Sequence, residues 1–222
     1  MSSLRAETPN PSLSDLPKSG LTKADLSIPP VVPGLRIGLF GGSFNPAHEG
    51  HLLVAETALR RLELDRIWWM VSPGNPLKDH RNLRPLAERL ERSRDLVEDP
   101  RILVTAFEAA HQIRYSADTV RLVKRRCPGA RFVWVMGADS LAGFHRWQDW
   151  RSIASAMPLA VVDRPGSTLA LLSASAARTL SRFRLSEAEC ARLAFQAPPA
   201  WVFLHGPRSR LSSTMLRASA SP

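Results

Sequence analysis

Residues 35–51, LRIGLFGGSFNPAHEGH, constrain the fold more than any other stretch. Leu35 to Phe40 is an apolar run whose one charge is Arg36, the composition of a strand buried in a parallel sheet. Gly41 and Gly42 follow, then Ser43, Phe44, Asn45 and Pro46. Two glycines at a strand end open backbone conformations closed to other residues and let a ligand come close to the main chain. His48 and His51 then lead into LLVAETALRRLEL, which has helical periodicity. Strand, glycine turn and helix start, in that order, present bare N–H groups and a positive helix end to an anion. In open α/β sheets, ligands bind outside the carboxyl ends of the strands, where this turn falls.

Other glycine and histidine motifs do not fit. Gly38, Gly41 and Gly42 lack the G-x-G-x-x-G spacing of a dinucleotide loop, and no Gly-Lys-Ser/Thr sequence closes a Walker A loop. His48 and His51 are three apart, not four, and the intervening glutamate is in the wrong slot for a zinc helix. No protein-held metal site is predicted.

The rest of the chain alternates strands and helices. Arg66 to Ser72 reads as a second buried strand, running into Pro73-Gly74-Asn75-Pro76-Leu77-Lys78, a loop at the same sheet edge as the glycine turn. Leu86 to Val97 reads as a helix and Ile102 to Phe107 as a third strand. Tyr115 and Ser116 open another helix, with Ser116 expected as its cap and Thr119 in its first turn. Arg131 to Met136 is a fourth strand leading into Gly137-Ala138-Asp139-Ser140, where Asp139 suits either a helix cap or a hydrogen bond to a ribose. Leu159 to Val162 is a fifth strand, residues 167–197 are expected to be helical, and Trp201 to Leu204 is the last strand. Near the end, Ser212, Ser213 and Thr214 place hydroxyls and N–H groups at a helix start. Arg217, four residues after Ser213, lies one turn along on the same face. A triphosphate fits such an end.

These elements predict an α/β domain over residues 34–222. Residues 1–33, punctuated by Pro9, Pro11, Pro17, Pro29, Pro30 and Pro33, are expected to form a disordered or loosely docked tail without signal-peptide character. The net charge of +10 rests on 26 arginines and four lysines scattered singly, a pattern that suits small phosphorylated substrates better than a nucleic acid. No apolar run is long enough to span a bilayer, and Cys127 and Cys190 have no framework spacing, as expected of a cytoplasmic protein.

GGSFNPAHEGH resembles the G-G-x-F-x-P-x-H-x-G-H signature of the nucleotidyltransferase superfamily. Later segments narrow the resemblance to bacterial nicotinate-nucleotide adenylyltransferases over about residues 35–217. SPGNPLK is similar to S-P-x-N-P-x-K. GADSL followed by Trp147 is similar to G-x-D-x-L…W. Arg164-Pro165-Gly166 resembles an R-P-G turn, and LSSTMLR resembles I-S-S-T-x-x-R. Arg114-Tyr115-Ser116 departs from the family's S-Y-T at its first and third positions.

The resemblance implies a Rossmann-like, doubly wound parallel sheet and transfer of AMP from ATP to nicotinate mononucleotide, with Mg²⁺ carried on the triphosphate. It implies that His48, His51, Lys78 and Arg217 act on the phosphates. Gly41, Gly42, Ser43, Phe44, Gly137, Asp139, Arg164, Ser212, Ser213 and Thr214 would join the histidines and Arg217 in binding ATP. Asn45, Lys78, Tyr115, Ser116 and Trp147 would bind the pyridine nucleotide, Trp147 by stacking on its ring. The alternatives are another enzyme of the superfamily, a pantetheine-phosphate adenylyltransferase or a cytidylyltransferase, and a non-catalytic nucleotide-binding module.

Overall fold

The computed structural model describes residues 20–74, 82–163 and 174–206. Six strands form one all-parallel sheet: β1 (Arg36–Gly42), β2 (Arg66–Val71), β3 (Ile102–Thr105), β4 (Arg131–Gly137), β5 (Leu159–Val162) and β6 (Trp201–Leu204). Their order across the sheet is β3-β2-β1-β4-β5-β6, the doubly wound arrangement. The crossovers carry α1 (Glu49–Arg61), α2 (Leu86–Leu96), α3 (Phe107–Ala110), α4 (Ser116–Arg126), α5 (Ala138–Phe144), α6 (Trp150–Ala156) and α7 (Ser175–Thr179).

Each strand buries both faces, so its residues feed two cores alternately. Trp68 and Met70 of β2 join one cluster with Trp134, Phe144 and Phe203, while Trp69 and Val71 join the other with Phe40, Phe44 and Leu59. Gly38 permits this packing: a Cβ there would lie 2.4 Å from Ile67 Cδ1 and 2.9 Å from Leu64 Cδ1. The order reverses between β1 and β4, and a crevice opens at the carboxyl ends of neighbouring strands where their connections part to opposite faces. The glycine turn stands at that point.

Five local expectations change. β1 runs on through Gly41 and Gly42, which pair with Met70 and Val71, so the turn begins at Ser43. β3 stops at Thr105, because the Asp25 carbonyl accepts the Ala106 N–H at 2.8 Å and the Thr105 hydroxyl at 3.1 Å, and Phe107 turns inward to start α3. Ser116 is the first residue of α4 and not its cap. The extended residue before the helix is Tyr115, and no side chain caps it. Likewise Gly137, not Asp139, occupies the cap position of α5. Within 167–197, the described residues form the short α7 and two 3-10 segments, Ser181–Phe183 and Glu187–Phe195.

Residues 20–33 pass the end of β3, where the Asp25 carbonyl meets Thr105 and Ala106, and Pro33 lies against Gly129. Leu21 and Leu26 pack on one core and Ile28 and Val31 on the other. Asp25 is buried. Burial alone would raise its carboxyl, but the Thr22 N–H and the Arg94 guanidinium hold it below the usual carboxylate range.

Candidate active site

The site grows from the end of β1. Ser43 leaves the strand, Phe44 takes a left-handed φ of 44°, and the Asn45–Pro46 bond is cis. Phe44 is buried at this bend with its ring centroid 4.6 Å from Trp69 and 5.3 Å from Phe40, so apolar packing holds the chain there. Gly42 leaves room for that ring: a Cβ would stand 3.1 Å from Phe44 Cζ. The Asn45 side chain is buried. Its Nδ2 donates to the Asn82 carbonyl at 2.8 Å, and its Oδ1 accepts the Arg84 N–H at 3.3 Å.

His48 has extended backbone (φ −156°, ψ 165°) and occupies the cap position of α1, its carbonyl accepting the His51 N–H at 2.8 Å. One turn of helix therefore brings the two imidazoles together, with ring centroids 3.8 Å apart and planes inclined by 33°. The His51 ring meets the Phe44 ring edge-on at 5.0 Å. The histidines thus sit on the face of the sheet that holds Phe40, Phe44 and Trp69.

A cavity of about 440 Å³ opens on the other side of the turn. Gly41, Gly42 and Ser43 form its floor beside Trp134, which belongs to the opposite core. Tyr115 and Ser116 bring the start of α4 to its wall. Half-buried Trp147 also lines it, its ring crossing Trp134 at 85° and Phe144 at 73°, so two aromatic neighbours fix its plane. Trp147 is therefore both core-packed and cavity-lining.

Three further residues of the lining were not singled out from the sequence. Arg114 and Arg146 line the cavity and add positive charge at its edge. Glu108 is buried in the wall. Desolvation pushes its carboxyl up to about 7, against the lowering effect of the Thr119 hydroxyl that donates to it at 2.5 Å. Nothing in FEAAHQ marks that glutamate as buried, and no local signal sets the two arginines apart from the other arginines of the chain.

The structure thus gathers Gly41, Gly42, Ser43, Tyr115, Ser116 and Trp147 around one cavity, with Phe44, His48 and His51 across the turn. Asn45 is turned toward the segment at 82–84. Gly137 is buried at the end of β4, and Asp139 is exposed in the first turn of α5. Neither lines the cavity, though Ser140 of the same helix does. Lys78, Arg164, Ser212, Ser213, Thr214 and Arg217 lie outside the described residues. Among the described residues, no cluster of three or more His, Cys, Asp or Glu could hold a metal ion.

The cytidylyltransferase-like family model matches residues 39–219. A Mesorhizobium japonicum protein named "Probable nicotinate-nucleotide adenylyltransferase" is 59% identical over 193 residues, 87% of this chain and 99% of its own length. A Brucella abortus protein of the same name is 62% identical over 183 residues, covering 82% of this chain and 94% of its own. The chain belongs to the nicotinate-nucleotide adenylyltransferase family. Among solved structures, the fold is similar to Plasmodium falciparum nicotinic acid mononucleotide adenylyltransferase complexed with NaAD. The TM-score is 0.62 at 15% identity, covering 83% of each chain. Within the matched region, the H-x-G-H histidines of this chain come directly after the first strand and its glycine turn.

Proposed function

We propose that this chain transfers the AMP unit of ATP to nicotinate mononucleotide, releasing pyrophosphate and forming deamido-NAD, the adenylyl-transfer step of NAD biosynthesis. The observation that carries the reading is the glycine turn, with stacked His48 and His51 on one side and the Trp147 cavity on the other. Relatives about 60% identical over nearly their whole length support the same acceptor.

In this reading the acceptor ring enters the cavity beside Trp147, where a flat electron-poor ring gains from an aromatic face. The start of α4 at Tyr115 and Ser116 offers backbone N–H groups to the ring carboxylate. That interaction does not need the first hydroxyl of the family's S-Y-T, which Arg114 replaces here, and Ser116 keeps a hydroxyl at the third position. The ATP phosphates lie over the turn. The attacking phosphate is already ionised near neutral pH, so no general base is required. The step is an in-line displacement at the α-phosphorus, with the P–O bond to pyrophosphate breaking as the new P–O bond forms. Catalysis then consists of positioning two mutually repelling anions and stabilising charge at phosphorus. His51, with His48 stacked on it, donates to the phosphates. Lys78 and Arg217 offset further charge, and Mg²⁺ arrives on ATP as part of the substrate. The reaction belongs to the cytoplasm, and no described helix is long and apolar enough to cross a membrane.

A pyrophosphate-release assay with ATP and a panel of acceptors tests the reading. Release is expected with nicotinate mononucleotide. Release only with pantetheine phosphate, or with CTP and an alcohol phosphate, would assign the chain to another branch. No release with any acceptor would leave a nucleotide-binding module.

A further inference from the structure

Among the described residues, Arg89 of α2 is the one arginine or lysine that is buried, at 1% exposure. All its hydrogen bonds run to main-chain carbonyls. Nη1 donates to Ser43 O at 2.6 Å and Ser72 O at 2.8 Å, Nη2 to Pro73 O at 3.2 Å, and Nε to Arg84 O at 2.9 Å. No carboxylate among the described residues pairs with it. A cation buried this way is costly, and burial pushes the guanidinium down to about 10, so it stays charged at neutral pH. An apolar residue of similar volume would fill a core without that penalty.

The placement of the acceptors explains why a guanidinium sits there. Ser43 is the first residue of the turn after β1. Ser72 and Pro73 follow β2, the adjacent strand. Arg84 precedes α2. Three chain segments therefore meet on one planar fork. Ser43 and Ser72 also line the cavity described above, so the fork ties two parts of the ligand-binding rim from behind. Asn45 reinforces the join by bonding the turn to residues 82 and 84.

We propose that Arg89 is a positioning residue for AMP transfer, holding the glycine turn in register with the loop after β2 so that the turn's backbone meets the phosphates in the reacting geometry. The inference rests on the adenylyltransferase reading. Displacements on the ångström scale at a reacting centre lower rates by about a hundredfold. Lysine keeps the charge but cannot reach four carbonyls from one plane.

The test compares wild type, Arg89→Lys, Arg89→Met and Arg89→Ala, with turnover expressed per folded molecule and KM measured for both substrates. Arg89→Lys and Arg89→Met are expected to fold and to lose on the order of 10- to 100-fold in kcat. KM should change little for either substrate. Millimolar guanidinium, well below denaturing levels, should restore kcat to Arg89→Ala, and the same concentration of ammonium should not. Turnover per folded molecule within twofold of wild type in Arg89→Lys or Arg89→Met would overturn the proposal. Failure of all three variants to fold would also overturn it, leaving Arg89 a purely structural residue. Wild-type protein inactive with every acceptor would sink the adenylyltransferase reading itself, a result distinct from either.

Discussion

Glu108→Gln removes a buried titration from the wall of the cavity. In the folded protein the carboxyl titrates at about 7, against 4.5 when solvated, because burial disfavours its charged form more than the Thr119 hydrogen bond favours it. The folded state therefore holds a proton that the unfolded chain has released across this window, and stability falls as pH rises through it. The contribution is fully present below about 4.5 and lost by about 7. A separation of about 2.5 pH units, at about 1.4 kcal/mol per unit, makes the loss on the order of 3 kcal/mol. Glutamine keeps the acceptor for Thr119 and cannot ionise. Urea unfolding of both proteins from pH 4.5 to 8 isolates the effect, since other groups cancel in the difference. Relative to Glu108→Gln, wild type should lose on the order of 3 kcal/mol between the two ends of this range. A difference independent of pH would refute the claim that this carboxyl is desolvated.

Trp147→Ala should weaken binding of nicotinate mononucleotide by about 1 kcal/mol or more, measured by calorimetry, with a smaller effect on ATP. Unchanged acceptor affinity would leave Trp147 as a packing residue against Trp134 and Phe144. Gly38→Ala should destabilise the fold by about 1–3 kcal/mol in denaturant titration, because the added methyl collides with Ile67 and Leu64 inside a close-packed core. Stability equal to wild type would show that those side chains yield freely.

The succession of strands along the chain and the glycine turn were legible because both depend on short-range patterns, whereas the doubly wound sheet came only from the family resemblance. The apolar runs Leu159–Val162 and Trp201–Leu204 became β5 and β6 with those bounds. The turn from Gly41 to His51 became the meeting of β1 and α1. The misplaced boundaries have long-range causes. Nothing near Thr105 tells that Asp25, far earlier in the chain, takes its hydroxyl and ends β3. Ser116 has a capping side chain, yet the extended backbone falls one residue earlier, at Tyr115. Arg89 left a fainter trace. Leu86, Arg89, Leu90 and Ser93 share one helix face, so the arginine falls on the apolar stripe of α2. In a chain with so many arginines that position is easily read as a solvated charge, and only the carbonyls gathered from two strand ends reveal its place. Glu108 left none, because its burial comes from α4 closing over it through Thr119.

The most direct test of the chemistry at the glycine turn is the turnover of His51→Ala with saturating ATP and nicotinate mononucleotide. Its ring lies one helical turn from His48 and against Phe44, and the substitution removes the proposed phosphate donor without altering β1 or the residues of the turn. Loss of one donor that acts in the transition state predicts a fall in kcat on the order of 10²–10³. Turnover close to wild type in a folded His51→Ala protein would place the reaction somewhere other than the stacked histidines.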